Sequence, residues 1–150
     1  MNSDDRPQSF LDFDAEKLLL KLQITLNAAQ EAVDGVVQNA MKAIHESGCL
    51  TGKEDAIELA LSEALSNAVI HGAKLDPSKV VECDIACDHN RSVLIVVRDP
   101  GEGFDPARLP NPVIGENLYC NHGRGVYLIN QLMDDVRFFK NGTEIHMIKR

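Results

Sequence analysis

Three polar side chains recur at four-residue intervals in 63-EALSNAVIH-71: Glu63, Asn67 and His71. On a helix this spacing makes one stripe. The stripe borders an apolar row of Ile57, Leu61, Ala64 and Ala68, so a carboxylate, an amide and an imidazole look along the edge of the core. A second group is 98-RDPGEGFDP-106, which ends the apolar run 93-VLIVV-97 in Asp-x-Gly-x-Gly. Such an ending is either a turn, since Pro and Gly punctuate strands, or a place where something flat or anionic lies against bare backbone while Asp99 holds one edge of it. A third is 122-HGRGVYLI-129, where Gly123, Arg124 and Gly125 lead into an apolar helical pattern. Backbone N–H groups at a helix start bind phosphate well, and glycines permit close approach. Taken singly, each group also has a plain structural account: a solvated flank, a turn and a loop end.

The elements that must position these groups are readable from periodicity. In 18-LLLKLQITL-26, Leu18, Leu20, Leu22, Ile24 and Leu26 alternate with Lys21, Gln23 and Thr25, the pattern of a half-buried strand. Asn27 with Gln30 resembles a capping box for a helix carrying Ala29, Val33, Val36, Val37, Ala40 and Ile44, with Gly48 as its stop. Thr51 with Glu54 is a second cap, opening a helix over 53–72 that Gly72 ends. Strands are expected over 80–87 and 92–99 around the hairpin loop 88-DHNR-91. The second of these strands is apolar on both faces and reads as central. Residues 104–122 hold three prolines without periodicity, and loops of this length tend to be lids or binding elements. A helix follows over roughly 126–133, and the chain closes with a hairpin around Asn141-Gly142. Helices cluster early and strands pair as hairpins. The fold class expected is an α/β (α+β) two-layer sandwich, with a mixed, mostly antiparallel sheet covered on one face by helices.

Length and charge narrow the function. A chain of 150 residues suits one compact domain with a real core, here over 17–150 after a polar tail at 1–16. A net charge of −8 argues against a duplex-binding surface, which needs clustered Lys and Arg. It leaves room for a protein partner with a basic patch. No apolar run approaches the ~18 residues of a membrane helix, and the acidic N-terminus is no secretory signal, so the cytoplasm is expected. Cys83 and Cys87 share one face of a strand at CxxxC spacing; a metal site or disulfide there is weighed against buried free thiols in a reducing compartment, and the thiols are favoured.

Taken together, the three groups are more specific. A helix with Glu63 and Asn67, a strand ending in Asp99-x-Gly101-x-Gly103, a long loop and a helix led by Gly123-Arg124-Gly125 resemble, in order and spacing, the GHKL ATPase superfamily of gyrase, a heat-shock chaperone, histidine kinases and MutL. The resemblance covers about residues 18–150 and implies the family's Bergerat ATP-binding fold, with 104–122 as the ATP lid. It implies that Asp99 accepts a hydrogen bond from the adenine amino group and that Gly101 and Gly103 let base and lid backbone pack closely. Asn67 would hold Mg²⁺ through its amide oxygen, as suits a hard ion that shares substrate phosphates. Glu63 would be the catalytic base. Gly123 and Gly125 would bring N–H groups to the phosphates, with Arg124 adding charge.

Within the superfamily, 62-SEALSNAVIHG-72 is similar to the bacterial anti-sigma factor serine/threonine kinases. Histidine kinases usually place Lys where His71 stands, and no dimerising helix with a phospho-accepting His precedes residue 18. The resemblance implies a cytoplasmic homodimer that regulates transcription. It would bind a sigma factor, use ATP and Mg²⁺, and phosphorylate a Ser or Thr on an antagonist of the STAS type. Two departures stand out: the second glycine box has one glycine fewer than many members carry, and Arg108 is the lid's one basic residue. A sensor-kinase-like ATPase with another phospho-acceptor and a nucleotide-gated binding module are the alternatives.

Overall fold

The structure, a computed structural model, describes residues 13–49, 52–101 and 121–150, with side chains of the last stretch described from Tyr127 onward. The elements are β1 (Leu18–Asn27), α1 (Gln30–Ser47), α2 (Glu54–Asn67) prolonged by a π turn (Ala68–Gly72), β2 (Val80–Asp88), β3 (Val93–Arg98), α3 (Asn121–Leu132), β4 (Asp135–Phe139) and β5 (Glu144–Lys149). The strands form one sheet in the order β1-β2-β3-β5-β4. Each pairing is antiparallel, so the parallel part of the expected mixed sheet is absent among the described strands.

The alternation that predicts each strand also sets the two faces of the sheet. Val81, Cys83, Ile85 and Cys87 of β2, Val93, Ile95 and Val97 of β3, and Ile145 and Met147 of β5 join one core with Val33, Val37, Ile44, Ile57, Leu61, Leu65 and Ile129 of the helices. β3 is central, as expected. On its other face, among the described residues, Phe13, 7% exposed, packs with Ile148, Leu18, Ala86 and Leu94 in a small second cluster. The tail expected over 1–16 is described from Phe13 on, and there it lies against the sheet. Leu18 belongs to that cluster because the β1–β2 register shifts between Leu18 and Leu20. A bulge turns a residue to the other face, and this one takes Leu18 out of the row it was expected to share with Leu20, Leu22 and Ile24.

Asp88, fully buried, organises the tight hairpin between β2 and β3. Its Oδ1 accepts from Asn90 N–H at 2.9 Å and Ser92 N–H at 3.0 Å, and its Oδ2 accepts from Asp14 N–H at 3.0 Å. His89 Nε2 lies 3.0 Å from Asp14 Oδ2, closing the anchorage of the N-terminal segment. The hydrogen bond from Glu16 N–H is the main cause that holds the Asp14 carboxyl below its ordinary value, with His89 helping against slight desolvation.

Two helix starts differ from expectation. α1 begins at an N-cap Ala29 with no side-chain cap, because the Asn27 amide instead donates to Pro77 O at 3.0 Å. α2 starts from Lys53 without a side-chain cap; Thr51 lies outside the described residues. Gly48 ends α1 as read, with φ at +84° and its N–H on His45 O. The Asn141-Gly142 hairpin also forms, through Lys140, Asn141 and Gly142 at positive φ.

The cysteines overturn their reading. Cys49, just past α1, is disulfide-bonded to Cys87 of β2, with Cα atoms 6.6 Å apart, and both are fully buried. Sequence spacing drew attention to Cys83 and Cys87, but the pair that forms spans 38 residues and is brought together by α1 packing on the sheet. Cys83 stays a buried thiol, its pKa pushed up to about 12 by desolvation.

Candidate functional site

α2 carries Glu63 and Asn67 at its half-buried edge, next to buried Ala64, Leu65 and Ala68. The side chains therefore border the core face without filling it, as the spacing suggested. After Asn67 the helix changes character. Ala73 N–H reaches back to Ala68 O at 2.8 Å, an i→i+5 bond, and the helix widens into a π turn over Ala68–Gly72. Single π turns inside helices occur often at functional sites. His71, the third member of the expected stripe, lies within this turn and is half-buried. Lys74 and Leu75 then leave the turn at φ of 55° and 59°, a left-handed conformation that non-glycine residues adopt at some cost.

The turn ends against the strand that carries the second group. Asp99 directly follows β3, and its N–H extends the ladder by donating to Thr143 O at 2.9 Å. Gly101 N–H donates to Asp99 Oδ1 at 2.8 Å. Burial is the larger influence on this carboxyl and pushes its pKa above the ordinary value, with the Gly101 N–H working against it. A Cβ added to Gly72 would lie 2.6 Å from both Asp99 Cβ and Asp99 Oδ1. A Cβ added to Gly101 would lie 2.9 Å from Gly72 C and 3.0 Å from Gly72 Cα. Neither fits without a shift of its surroundings. The backbone of Gly72 therefore asks for a glycine at 101, a contact within the protein beside the close packing of base and lid that the resemblance implies. Gly72 itself was read only as a helix stop. Its second role has no signal in one sequence, because the partner lies on another element.

Behind Asp99, on the face of the sheet opposite α1 and α2, Arg98 donates to Asp84 Oδ2 at 2.7 Å and to Glu144 Oε1 at 3.2 Å. His146 Nε2 stands 2.7 Å from Glu144 Oε2. Burial works against the charges of both Arg98 and Glu144. Their partners outweigh it, so Arg98 is raised and Glu144 lowered from their ordinary values. This paired network fixes the last residue of β3 and the first of β5 on either side of the Asp99–Thr143 bond.

α3 packs against α2. It begins at Asn121, two residues before Gly123, so Gly123 and Arg124 lie in its first turn, Gly125 opens the second, and none of them precedes the helix. Ile129 and Met133 anchor its far end in the core. The Arg124 side chain, Gly103 and the expected lid up to residue 120 lie outside the described residues.

The donor chemistry fits a nucleotide with a hard cation. Among the described residues no group of three or more His, Cys, Asp or Glu side chains could hold a metal alone. An amide oxygen such as that of Asn67 is a donor type that suits Mg²⁺, which takes few protein oxygens and completes its shell with water and phosphate.

Residues 26–149 match the family model of the histidine kinase-like ATPase domain. The chain belongs to the histidine kinase-like ATPase family. It is 32% identical over 99 residues to an anti-sigma F factor of Anoxybacillus flavithermus, covering 62% of this chain and 66% of the relative's length. It is 33% identical over 106 residues to an anti-sigma F factor of Heyndrickxia coagulans, covering 67% of this chain and 69% of that one. In fold it is similar to the crystal structure of the RsbU and RsbW domains of a Mycobacterium tuberculosis protein, at a TM-score of 0.60 and 21% identity. That match takes in 87% of this chain and 31% of the other. The helix-backed antiparallel sheet is thus the family's fold. No helix among the described residues is long and apolar enough to cross a membrane.

Proposed function

We propose that this family member is an ATP-dependent serine/threonine protein kinase that acts as an anti-sigma factor. In this reading it binds a sigma factor and phosphorylates a STAS-type antagonist. The observation that carries the nucleotide half is the seating of Asp99 at the end of a central strand, half-buried, with one carboxylate oxygen held by Gly101 N–H and the end of α2 pressed against it. A carboxylate so placed accepts from the amino group of adenine and finds no donor on a purine with a carbonyl there. The partner half is supported by two relatives named anti-sigma F factors.

Phosphoryl transfer rests on positioning and charge stabilisation more than on covalent chemistry. Asp99 orients the base, with Gly101 and Gly103 at its edge. Asn67 offers its amide oxygen as the protein ligand to Mg²⁺, which when bound neutralises phosphate charge. Gly123 and Gly125, on a helix packed on α2, would bring N–H groups to the phosphates, with Arg124 adding charge. Glu63, one turn before Asn67, orients the substrate hydroxyl and takes its proton. The chain works in the cytoplasm as a homodimer, and its charge of −8 favours a basic partner with association that is faster at low salt.

The test is incubation with radiolabelled ATP–Mg²⁺ and the STAS protein encoded beside its gene. Label on a Ser or Thr of that protein is the expected result. ATP turnover without label transfer removes the kinase, and absence of ATP binding removes the whole reading. Light scattering that shows a strict monomer at high concentration removes the dimer alone.

A further inference from the structure

We infer that Gly72 is the positioning residue for the Asp99 carboxylate, so that the π turn at the end of α2 sets which purine the site accepts. The inference rests on the reading of Asp99 as the base-recognising group. It gives Gly72, read from the sequence only as a helix stop, a part in the site.

Asp99 stands at the end of a strand, and a carboxyl group there has rotameric freedom. Three contacts remove it. The main chain is fixed by Asp99 N–H on Thr143 O at 2.9 Å. Oδ1 is held by Gly101 N–H at 2.8 Å. The third side is a wall: the Gly72 backbone lies so near that one added carbon would stand 2.6 Å from Asp99 Oδ1 and meet its Cγ as well. Gly101 is pressed on the same wall, since its own added carbon would meet Gly72 O, and Gly72 C at 2.9 Å. The three backbones thus interlock, and with Oδ1 engaged, Oδ2 is the oxygen left for a ligand.

The π turn is what places the wall. A regular helix continued past Asn67 would bond residue 72 to residue 68 and rotate the chain further round at each step. The i→i+5 bond from Ala73 N–H to Ala68 O widens the turn instead, and Gly72 meets Asp99 at its end. The same turn follows Asn67 directly, so one distortion in one helix links the proposed metal-ligand position to the proposed base-reading carboxylate.

The experiment compares ATP with inosine triphosphate, which carries an oxygen in place of the adenine amino group. Affinities are measured by calorimetry on folded wild type, Gly72→Ala, Gly101→Ala and Gly35→Ala. Gly35 lies within α1, and an added Cβ there meets nothing within 4 Å. Wild type and Gly35→Ala are expected to prefer ATP by about 10- to 100-fold, the value of one charge-assisted hydrogen bond. In Gly72→Ala the preference should fall to within about threefold of unity, because the carboxyl group is driven from its seat. Gly101→Ala reaches the same group from the other side and serves alone if Gly72→Ala does not fold. In an Asp99→Asn background, Gly72→Ala should leave the ratio unchanged, as expected of two residues acting through one contact. A ratio is insensitive to a mere loss of stability. A wild-type preference retained in either folded alanine variant overturns the inference while leaving Asp99 in its role. No preference in wild type overturns the role of Asp99, and the inference with it.

Discussion

Gly72 and Asp99 compete for one volume: the end of α2 can meet the end of β3 only because residue 72 has no side chain. Two segments 27 positions apart in sequence are thereby joined into one site edge. The relationship gives the Asp-x-Gly turn a cause within the protein itself. Gly101 is small for the sake of Gly72, and Gly72 for the sake of Asp99.

The ionisation of Asp99 gives a pH prediction. Desolvation raises its pKa above the ordinary 3.8, against the pull of the Gly101 N–H. A raised folded value means that the neutral form favours folding: that contribution is complete below 3.8 and is lost as pH rises through the folded value. The ionised form is the one that accepts strongly from adenine. ATP affinity should therefore decline as pH falls through the raised value, at a higher pH than an ordinary aspartate would cause. Asp99→Asn should bind about 10- to 100-fold more weakly at neutral pH and should lose this pH step. The difference between the two profiles isolates Asp99 from titration of the nucleotide. Parallel profiles would place the step elsewhere.

The Cys49–Cys87 disulfide closes a loop across 38 positions, between the end of α1 and the sheet. A cross-link of this span stabilises by roughly 2–4 kcal/mol, chiefly through the unfolded chain. Cys49→Ser or Cys87→Ser should lower the melting temperature by about 5–15 °C, and a dithiol reductant should produce a similar fall in wild type. Differential scanning calorimetry with and without reductant decides it. Identical transitions would mean that the two thiols are not bonded in solution.

Asp88 should be among the most sensitive positions outside the proposed site. Its carboxylate is buried and takes three backbone N–H groups, from Asp14, Asn90 and Ser92. Asp88→Ala leaves those donors without their acceptor, at a cost of about 1–3 kcal/mol for each one that water cannot reach. We expect a loss of about 3 kcal/mol in denaturant unfolding, together with faster proteolysis near Phe13 as the N-terminal segment detaches. A stability within 0.5 kcal/mol of wild type, the scale of neutral surface substitutions, would show that the hairpin holds without it.

What could be read from the sequence follows the range of the interaction concerned. The row from Leu20 to Leu26, the Gly48 stop and the Asn141-Gly142 hairpin depend on neighbours in the chain, and each formed as its local pattern implied. The bulge at Leu18 was hidden, because both sides of it are leucine and the outer-face cluster that Leu18 joins, with Phe13 and Ile148, comes from distant parts of the chain. The capping box at Asn27 failed for a tertiary reason: its amide found Pro77 O across 50 residues. Cys49 found Cys87 across 38 residues, a pairing set by how the end of α1 meets β2 and not by spacing in the chain. Around the candidate site, the places of Glu63 and Asn67 at the edge of a helix's apolar face and of Asp99 at a strand end were legible from spacing. The π turn and the Gly72–Asp99 contact were not, since periodicity in the sequence carries no mark of a widened helical turn.

Glu63 gives the sharpest test of catalysis. It lies on α2 one turn before Asn67, half-buried at the edge of the core, and α3, whose N-terminal turns hold Gly123 and Gly125, packs on the same helix. In the proposed mechanism Asn67 engages the metal and Glu63 the incoming hydroxyl, so the two act on one phosphate from adjacent turns. Glu63→Gln keeps the shape and the hydrogen-bonding reach of the side chain but abolishes its basicity. Loss of a general base costs about 10²–10⁴-fold in rate. A loose phosphoryl-transfer transition state asks less of its base, so the lower half of that range is expected. Nucleotide affinity should stay within about threefold of wild type, a change worth well under 1 kcal/mol. Single-turnover transfer from radiolabelled ATP to the STAS protein, measured beside calorimetric ATP binding, separates the two quantities. Unchanged transfer would make Glu63 a bystander at the edge of the core. A fall in affinity equal to the fall in rate would make it a binding residue, and the proton would then have to leave by another route.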